Sequence, residues 1–272
     1  MPSAETLSEK GEAFRALHEG EPFVIPNPWD AGSTRVLEVL GFKALATTSG
    51  GIAFSAGRLD GGLTLDAMIE ATREIADATE LPISVDLENG FGPEPQDAAN
   101  AISRAAEAGA VGGSIEDFDH ERGIYERELA VERVAAAVEA ARALDFPFTL
   151  TARAENIFRG VGDLDETIAR LKAFEEVGAD VIYAPWIGLE QIPAVREATT
   201  KPINFLARSG VSFREATEAG AQRISVGSRL ALVALRAFAD SAEQIRDSGD
   251  FSSLNVKIPL DEWFGDQRPR RS

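Results

Sequence analysis

Residues 82–92 read PISVDLENGFG, an apolar run that leads directly into two carboxylates and a glycine-rich turn. The residues before Asp86 predict a short buried strand. Asp86 and Glu88 are two positions apart, and in an extended chain such side chains point to the same side. The stretch therefore predicts an acidic site at a strand end, where two carboxylates could share one divalent cation.

Strand-like runs alternate with helical patterns on both sides of this stretch. The predicted strands are residues 23–26, 44–48, 83–85, 113–115, 148–152, 181–184, 203–206 and 223–226. Helical periodicity is clearest in residues 65–80, 96–108, 129–144 and 164–177. Several predicted strands are preceded by a glycine, which readily adopts the left-handed backbone conformation found at the end of an α-helix. These glycines are Gly41, Gly109, Gly178 and Gly220. Eight such units predict a closed (β/α)8 TIM barrel of α/β class with parallel strands, and the short intervals in the last third predict one small or displaced helix.

The chain length agrees with this architecture. Its 272 residues and 29.1 kDa are close to the ~250 residues of a typical barrel, so we expect one domain spanning residues 1–272. A segment from about residue 240 to 272 lies outside the repeat and is expected to form a C-terminal extension that packs on a neighbouring subunit. We see no interdomain linker in the sequence.

Composition excludes several classes of site and partner. The absence of cysteine excludes disulfides, thiolate metal sites and a cysteine nucleophile. A formal charge of −18 disfavours nucleic acid and anionic membranes as partners. The polar, acidic N-terminus does not resemble a secretory signal, and no apolar run approaches the ~18 residues of a membrane span. We therefore expect a soluble, cytoplasmic protein.

Polar side chains follow seven of the predicted strands, at the barrel face that carries active sites. In chain order the main candidates are Trp29, Ser49, Gly50, Gly51, Asp86, Glu88, Glu116, Arg153 and Asn204. Each of them alone is explained equally well by a helix cap, a loop salt bridge or packing at the barrel mouth. Their joint occurrence favours a functional site.

An ordered series of motifs covers residues 23–231 and resembles the isocitrate lyase and phosphoenolpyruvate phosphonomutase superfamily. The motifs are NPWDAGSTRVLEVLGFKAL, TTSGGIAFSAGRLDGG, VDLENGFG, GGSIEDF, LTARAEN and KPINFLA. The resemblance implies a barrel of the phosphoenolpyruvate/pyruvate-domain type with its last helix exchanged between subunits, assembled as a homodimer or homotetramer. It also implies a site for Mg²⁺, with Mn²⁺ possible, and for a small carboxylic acid.

The resemblance also assigns roles to residues of this chain. It implies that Asp86, Glu88 and Glu116 hold the metal, with Asp86 the direct ligand and the others acting mainly through water. It implies catalytic roles for Asp60, Glu116 and Arg153. It implies a substrate site that includes Ser49, Gly50, Gly51 and Arg153, to which we add Trp29 and Asn204 from their positions after strands one and seven. Mg²⁺ bound to a keto oxygen would stabilise an enolate while the neighbouring bond breaks.

The loop after the fourth strand departs from the superfamily pattern. The lyases carry a Lys-Lys/Arg-Cys-Gly-His motif there, whereas this chain has FDHERGIYERE at residues 118–128. His120 lies in this loop, and we expect it to be a solvated loop residue rather than an acid. The lyases place a glutamate after strand six, where this chain has Ala184, Pro185 and Trp186. The loop of the phosphonomutases and phosphonopyruvate hydrolases, rich in Asn, Lys and Ser, is missing too.

Three hypotheses therefore remain open. The first is a Mg²⁺-dependent lyase that acts on a small 2-oxo or 2-hydroxy carboxylic acid. It would cleave a C–C bond or decarboxylate the acid through an enolate. The second is a mutase or hydrolase that acts on the P–C bond of a phosphonate, for which the loop supplies only Arg122 and Arg127 as cations. The third is a non-catalytic barrel that binds a metal and a keto acid.

Overall fold

Eight parallel strands form a nearly closed barrel in the computed structural model, which describes residues 4–265. The strands are β1 Phe23–Ile25, β2 Leu45–Ala46, β3 Ile83–Asp86, β4 Gly112–Glu116, β5 Thr149–Arg153, β6 Val181–Tyr183, β7 Ile203–Leu206 and β8 Arg223–Ser225. Their order in the sheet is β1-β8-β7-β6-β5-β4-β3-β2. The two edges meet where the Ala46 N–H donates to the Pro26 carbonyl over 3.1 Å. The predicted (β/α)8 barrel is confirmed.

Helices follow the strands in the predicted alternation. They are α1 Ala4–Glu19, α2 Ala31–Val39, α3 Ser49–Ser55, α4 Leu65–Asp77, α5 Pro95–Glu107, α6 Arg127–Arg142, α7 Leu164–Glu176, α8 Ile192–Ala198, α9 Phe213–Glu218, α10 Arg229–Ser248 and α11 Leu260–Phe264. The four segments with clear periodicity correspond to α4–α7. The short intervals late in the chain hold two small helices, α8 and α9, of seven and six residues.

Glycines end several of these helices as predicted. Gly109 follows α5 with φ 103° and Gly178 follows α7 with φ 104°, a region that side chains with a Cβ rarely adopt. Each glycine turns the chain from the helix into the next strand, so that strand again runs parallel to the others. The apolar faces of α4–α7 then pack on the outside of the barrel and form one continuous core with the strands.

Helix α1 covers the amino-terminal end of the barrel. Phe14 is fully buried and contacts the ring of His18 edge-on at 4.7 Å between centroids, and His18 in turn contacts Phe23 at 5.2 Å. Gly112 in β4 leaves room for this helix, because a Cβ there would lie 2.7 Å from the Phe14 ring. The functional groups at the opposite, carboxyl-terminal end are therefore the ones open to solvent.

Helix α10 differs from the other long helices of the repeat because most of its residues are exposed. Ala231 is its only buried residue. Apolar side chains on this helix face solvent, including Leu232, Val233, Leu235 and Phe238, the last 74% exposed. The C-terminal extension predicted from about residue 240 begins inside α10, which continues to Ser248. Its basic end, residues 268–271, lies outside the described residues.

None of the helices between Ala4 and Phe264 combines the length and apolar character needed to cross a membrane.

Candidate active site

Ser49 connects two carboxylates at the barrel mouth. Its hydroxyl lies 3.0 Å from Asp60 Oδ1 and 3.0 Å from Asp86 Oδ2, and its backbone N–H donates to the same Asp86 oxygen over 3.3 Å. Asp86 is the last residue of β3, and Ser49 begins α3 directly after β2. Burial and the charge of Asp86 raise the pKa of Asp60 above its usual range. The predicted residues of these two strand ends therefore do come together.

Glu88 reaches this site by a route that the strand pattern did not predict. Strand β3 ends at Asp86, and Glu88 has a left-handed backbone with φ 50°, so two-residue alternation does not describe its orientation. Its side chain is nevertheless buried beside Asp86 and Asp60, and these surroundings raise its pKa to about 8, mainly through burial. Glu88 Oε1 is buried without a hydrogen-bond partner. This oxygen is available to a ligand.

Arg153 is the cation that the mouth carboxylates share. Its Nη1 lies 3.3 Å from Glu116 Oε2 and 4.0 Å from Asp86 Oδ1, and its Nε pairs with Glu155. The guanidinium also lies over the Tyr183 ring, 5.3 Å from its centroid. Burial raises the pKa of Glu116 well above its usual range, and Arg153 opposes that shift. Arg153 thus holds Glu116 and Asp86 on one side and Glu155 on the other.

Glu155 is fixed from behind by a second buried ion pair. Its backbone N–H donates to Asp117 Oδ1 over 2.7 Å, and Arg170 Nη1 lies 3.1 Å from Asp117 Oδ2. Arg159 Nε also contacts Glu155, at 3.1 Å. No role is assigned to Glu155, Asp117 or Arg170 from the sequence alone. The i, i+4 spacing of Glu166 and Arg170 on α7 predicts the contact between these two residues, which is 2.9 Å long. It does not predict the contact between Arg170 and Asp117.

The Ser49–Gly51 turn offers fewer free donors than its sequence predicts. The Ser49 N–H is taken by Asp86, and the Gly51 N–H donates to the Thr48 hydroxyl over 3.2 Å as a helix cap. The two glycines are required by close packing: a Cβ on Gly50 would lie 2.6 Å from Ser228 Oγ, and one on Gly51 would lie 2.6 Å from Thr48 Cγ2. Among the described residues, neither Asp86 nor Thr48 accepts from the Gly50 N–H. This N–H is therefore the one of the three that is open to a substrate oxygen.

Two predicted substrate residues have no contact with the mouth carboxylates among the described hydrogen bonds. Trp29 lines a groove of about 270 Å³ between α3 and α10, together with Phe54 and Phe238. Asn204 is buried in the barrel interior, where its amide donates to Ser225 Oγ and its Oδ1 accepts from Arg223 Nε. Both contacts of Asn204 are therefore with protein. The substrate roles of Trp29 and Asn204 stay predictions.

The carboxylates fit a metal ion bound mainly through water and substrate. Among residues 4–265, no three His, Asp or Glu side chains are arranged to enclose a metal on their own. Asp86 and the unpartnered oxygen of Glu88 supply hard oxygen ligands, while Arg153 occupies the side toward Glu116. Mg²⁺ usually keeps several waters and takes one or two carboxylates, so this donor set suits it.

Aromatic and cationic side chains form the opposite wall of the mouth. Trp186, after β6, has a left-handed backbone with φ 67° and stacks on Phe158 with ring centroids 5.8 Å apart. Arg208, after β7, lies over the Trp186 ring at 5.2 Å, and its Nε is buried without a partner. Arg159 lies over the Phe118 ring at 3.5 Å.

The loop after β4 folds back over the site as a two-stranded hairpin, Phe118–Asp119 with Gly123–Ile124. The Tyr125 hydroxyl and the Asn89 amide both donate to Asp119 Oδ2, which ties the hairpin to the turn after β3. His120 is exposed, as expected, but its ring lies against Gly61, where a Cβ would be 2.3 Å from Nε2. His120 therefore lies next to the Asp60 loop.

Comparison with known proteins gives the family of this fold and site. The family model described as phosphoenolpyruvate phosphomutase matches residues 14–246. The chain belongs to the phosphoenolpyruvate mutase family. It is an enzyme of the isocitrate lyase and phosphoenolpyruvate mutase superfamily, as the motifs implied, and the relatives support a lyase.

Three relatives illustrate the range of the superfamily. A crystal structure from Burkholderia cenocepacia J2315, named only by class as a lyase/mutase, is 48% identical, has a TM-score of 0.92 and covers 96% of this chain and 97% of that one. The 2-methylisocitrate lyase of Escherichia coli is 32% identical over 65% of this chain and 62% of that enzyme. The oxaloacetate decarboxylase of a Bradyrhizobium strain is 30% identical over 73% of this chain and 71% of that enzyme.

Proposed function

We propose that this protein is a Mg²⁺-dependent lyase whose substrate is a small 2-oxo or 2-hydroxy carboxylic acid. The reaction is cleavage of a C–C bond or decarboxylation. The observation that carries the proposal is the arrangement around Arg153, which lies within 4.0 Å of Glu116 and Asp86 at the barrel mouth. A guanidinium beside several carboxylates can orient a carboxylate substrate while the acidic groups retain a cation.

The side chains of this site divide the work between them. We assign Asp86 and Glu88 to the metal and Glu116 to the water around it. When bound, Mg²⁺ would stabilise the negative charge of the enolate that forms on the keto oxygen as the neighbouring bond breaks. Mn²⁺ would suit the same oxygen ligands. Asp60, held by the Ser49 hydroxyl, is placed to orient a water or a substrate hydroxyl.

Arg153 and Gly50 are the groups that we assign to the substrate carboxylate. Arg153 is half-buried at the mouth, with 18% of its side chain exposed, and it carries a positive charge that can bind an anion. The Gly50 N–H is the donor of the Ser49–Gly51 turn that neither Asp86 nor Thr48 takes. The Tyr183 ring lies beside Arg153, and burial raises the pKa of its hydroxyl to about 12, so this group adds no negative charge next to the bound anion.

A substrate panel tests the reaction. Purified protein with Mg²⁺ would be incubated with oxaloacetate, 2-methylisocitrate-like acids, substituted malates and phosphonopyruvate, and release of a 2-oxo acid and of phosphate would be followed separately. We expect a 2-oxo acid from one of the carboxylic acids. Turnover of phosphonopyruvate alone would reject the proposal.

A matched pair of variants tests the metal assignment. Asp86→Asn should lower turnover and Mg²⁺ affinity by at least about 100-fold, because a direct ligand is lost. Asp77→Asn removes the same charge from an exposed position at the end of α4 and should behave as the wild type. Unchanged Mg²⁺ affinity in Asp86→Asn would show that the ion is held elsewhere.

P–C bond chemistry is the second candidate. The predicted loop cations do not support it, because Arg127 pairs with Glu166 at 3.4 Å and Arg122 is exposed. The observation in its favour is the wall of the mouth after β5–β7, where Arg208 keeps an unpartnered Nε. A phosphonate bound there would make turnover depend on this arginine, so Arg208→Met would abolish phosphate release while 2-oxo acid release from carboxylic acids persisted.

We further propose that the protein assembles as a homodimer or homotetramer through α10. Apolar side chains on this helix are exposed, and the groove beside Trp29 that Leu235 and Phe238 line continues the same surface. Covering so large an apolar face by another subunit would remove it from water, which stabilises association. The single-domain organisation, the cytoplasmic location and the absence of nucleic acid and membrane partners stay predictions.

A further inference from the structure

Arg223 is a buried cation in the interior of the barrel, away from the mouth. It is the first residue of β8 and is 5% exposed. Its Nε donates to Asn204 Oδ1 over 2.8 Å, its Nη2 donates to Thr151 Oγ1 over 2.9 Å, and its Nη1 lies 3.3 Å from His18 Nε2. These contacts use three of the five N–H groups of a guanidinium.

The partners of Arg223 are all neutral. His18 Nδ1 is 2.8 Å from the Phe14 carbonyl oxygen and must donate to it, so Nε2 is the acceptor of the Arg223 N–H and the ring carries no charge. Burial lowers the pKa of His18 to about 3, in agreement with this tautomer. In the described part of the chain no Asp or Glu pairs with Arg223, because the carboxylates at the mouth pair with Arg153 and Arg170 instead.

A small cavity lies between Arg223 and the mouth. Its volume is about 60 Å³, enough for a few water molecules or one small ion. Besides Arg223, its lining includes the hydroxyl side chains of Ser84, Ser114 and Ser225. Asp86 and Arg153 lie at its other end, toward the mouth. Arg223 therefore supplies a positive charge at the inner end, the serine hydroxyls supply hydrogen-bond donors along the wall, and the outer end contains the nearest negative charge.

A charge buried without a counter-ion is costly, because the desolvation of an ion is not repaid by hydrogen bonds to neutral groups alone. Burial lowers the pKa of Arg223 to about 10, so the group is still a cation at neutral pH. A small anion in the cavity would supply the missing charge and would use the remaining guanidinium N–H groups and the serine hydroxyls.

We propose that the barrel interior holds one small monovalent anion, of about the size of chloride, against Arg223 and the hydroxyls of Ser84, Ser114 and Ser225. This site lies deeper in the barrel than the metal and substrate groups of the mouth, and it does not depend on the proposed reaction. The anion is a structural counter-ion of the barrel, and the protein is more stable when it is bound.

Thermal unfolding at constant ionic strength tests the proposal. Chloride would replace gluconate, which is too large for the cavity, from about 1 mM to about 300 mM. We expect a saturable rise in Tm of about 3 °C or more for the wild type. Arg223→Met should lose this response, whereas Arg214→Met, at an exposed position, should keep it. A wild-type Tm that does not depend on chloride would overturn the proposal.

Crystals of the wild type grown in bromide give a test that does not need a folded variant. The expected result is an anomalous peak inside the cavity, within hydrogen-bond distance of Arg223. Peaks confined to the protein surface, or a cavity that contains only water, would overturn the proposal even if Arg223→Met failed to fold.

Discussion

His18 makes the stability of this protein depend on pH in a way that a single substitution can isolate. The ring is buried between Phe14 and Phe23, and both nitrogens are engaged, one as donor to a carbonyl and one facing Arg223. Protonation would place a second positive charge beside a buried guanidinium. Burial and that charge lower the pKa of His18 from 6.5 to about 3.

The sign and size of the effect follow from this shift. Between about pH 6.5 and pH 3 the unfolded chain binds a proton at His18 that the folded protein does not, so folding becomes less favourable as the pH falls. Above pH 6.5 both states are neutral and the contribution is constant. Each pH unit below 6.5 lowers the unfolding free energy by about 1.36 kcal/mol until the folded pKa is reached. At pH 5, about 1.5 pH units below 6.5, the loss is therefore about 2 kcal/mol.

Urea unfolding of the wild type and His18→Gln between pH 8 and pH 5 measures this loss. Glutamine can donate to the Phe14 carbonyl and accept from Arg223, yet it does not titrate. The difference in unfolding free energy between the two proteins should shift by about 2 kcal/mol in favour of the variant on acidification. His120→Gln removes the other histidine, which is exposed, and should follow the wild type. Parallel curves for wild type and His18→Gln would refute the reasoning.

Three further substitutions test the mouth and the assembly surface. Arg153→Met leaves Glu116 buried without its cation and Glu155 with Arg159 alone. It should lower the unfolding free energy by about 3–5 kcal/mol in urea titrations, whereas a loss below about 1 kcal/mol would show that the pairs are not coupled. Gly50→Ala places a Cβ 2.6 Å from a serine hydroxyl oxygen and should cost about 1–3 kcal/mol in thermal unfolding, with wild-type Tm as the contrary outcome. Phe238→Asp puts a charge on the exposed face of α10 and should reduce the sedimentation coefficient toward that of a monomer; an unchanged coefficient would place the subunit contact elsewhere.

The barrel could be predicted from the sequence because its signals are local. Alternation of strand and helix patterns needs only hydrophobic periodicity, and glycines such as Gly109 and Gly178 mark where each helix turns back. The positions of Asp86 and Arg153 follow for the same reason, since the ends of parallel strands meet at one face of the barrel. Once the strands are placed, proximity of these end residues requires no further information.

The details of the site depend on contacts between distant segments and could not be predicted in this way. Glu88 enters the site through a left-handed turn, and no spacing rule gives that backbone angle for a glutamate. The sharing of Arg153 among three carboxylates depends on side-chain directions at β3, β4 and β5 together. Arg223 was counted only as the start of a strand, because its burial results from closure of the whole barrel over it.

The charges of the barrel are separated along its axis. The mouth contains more carboxylates than arginines: Asp60, Asp86, Glu88, Glu116 and Glu155 share Arg153 and Arg159. The excess negative charge helps to raise the pKa of Glu88, and a divalent cation bound there would relieve it. The interior contains Arg223 and no carboxylate partner within the described residues. Because the mouth carries an excess of negative charge and the interior an unpaired positive charge, the barrel is suited to a cation at its mouth and to an anion at its centre.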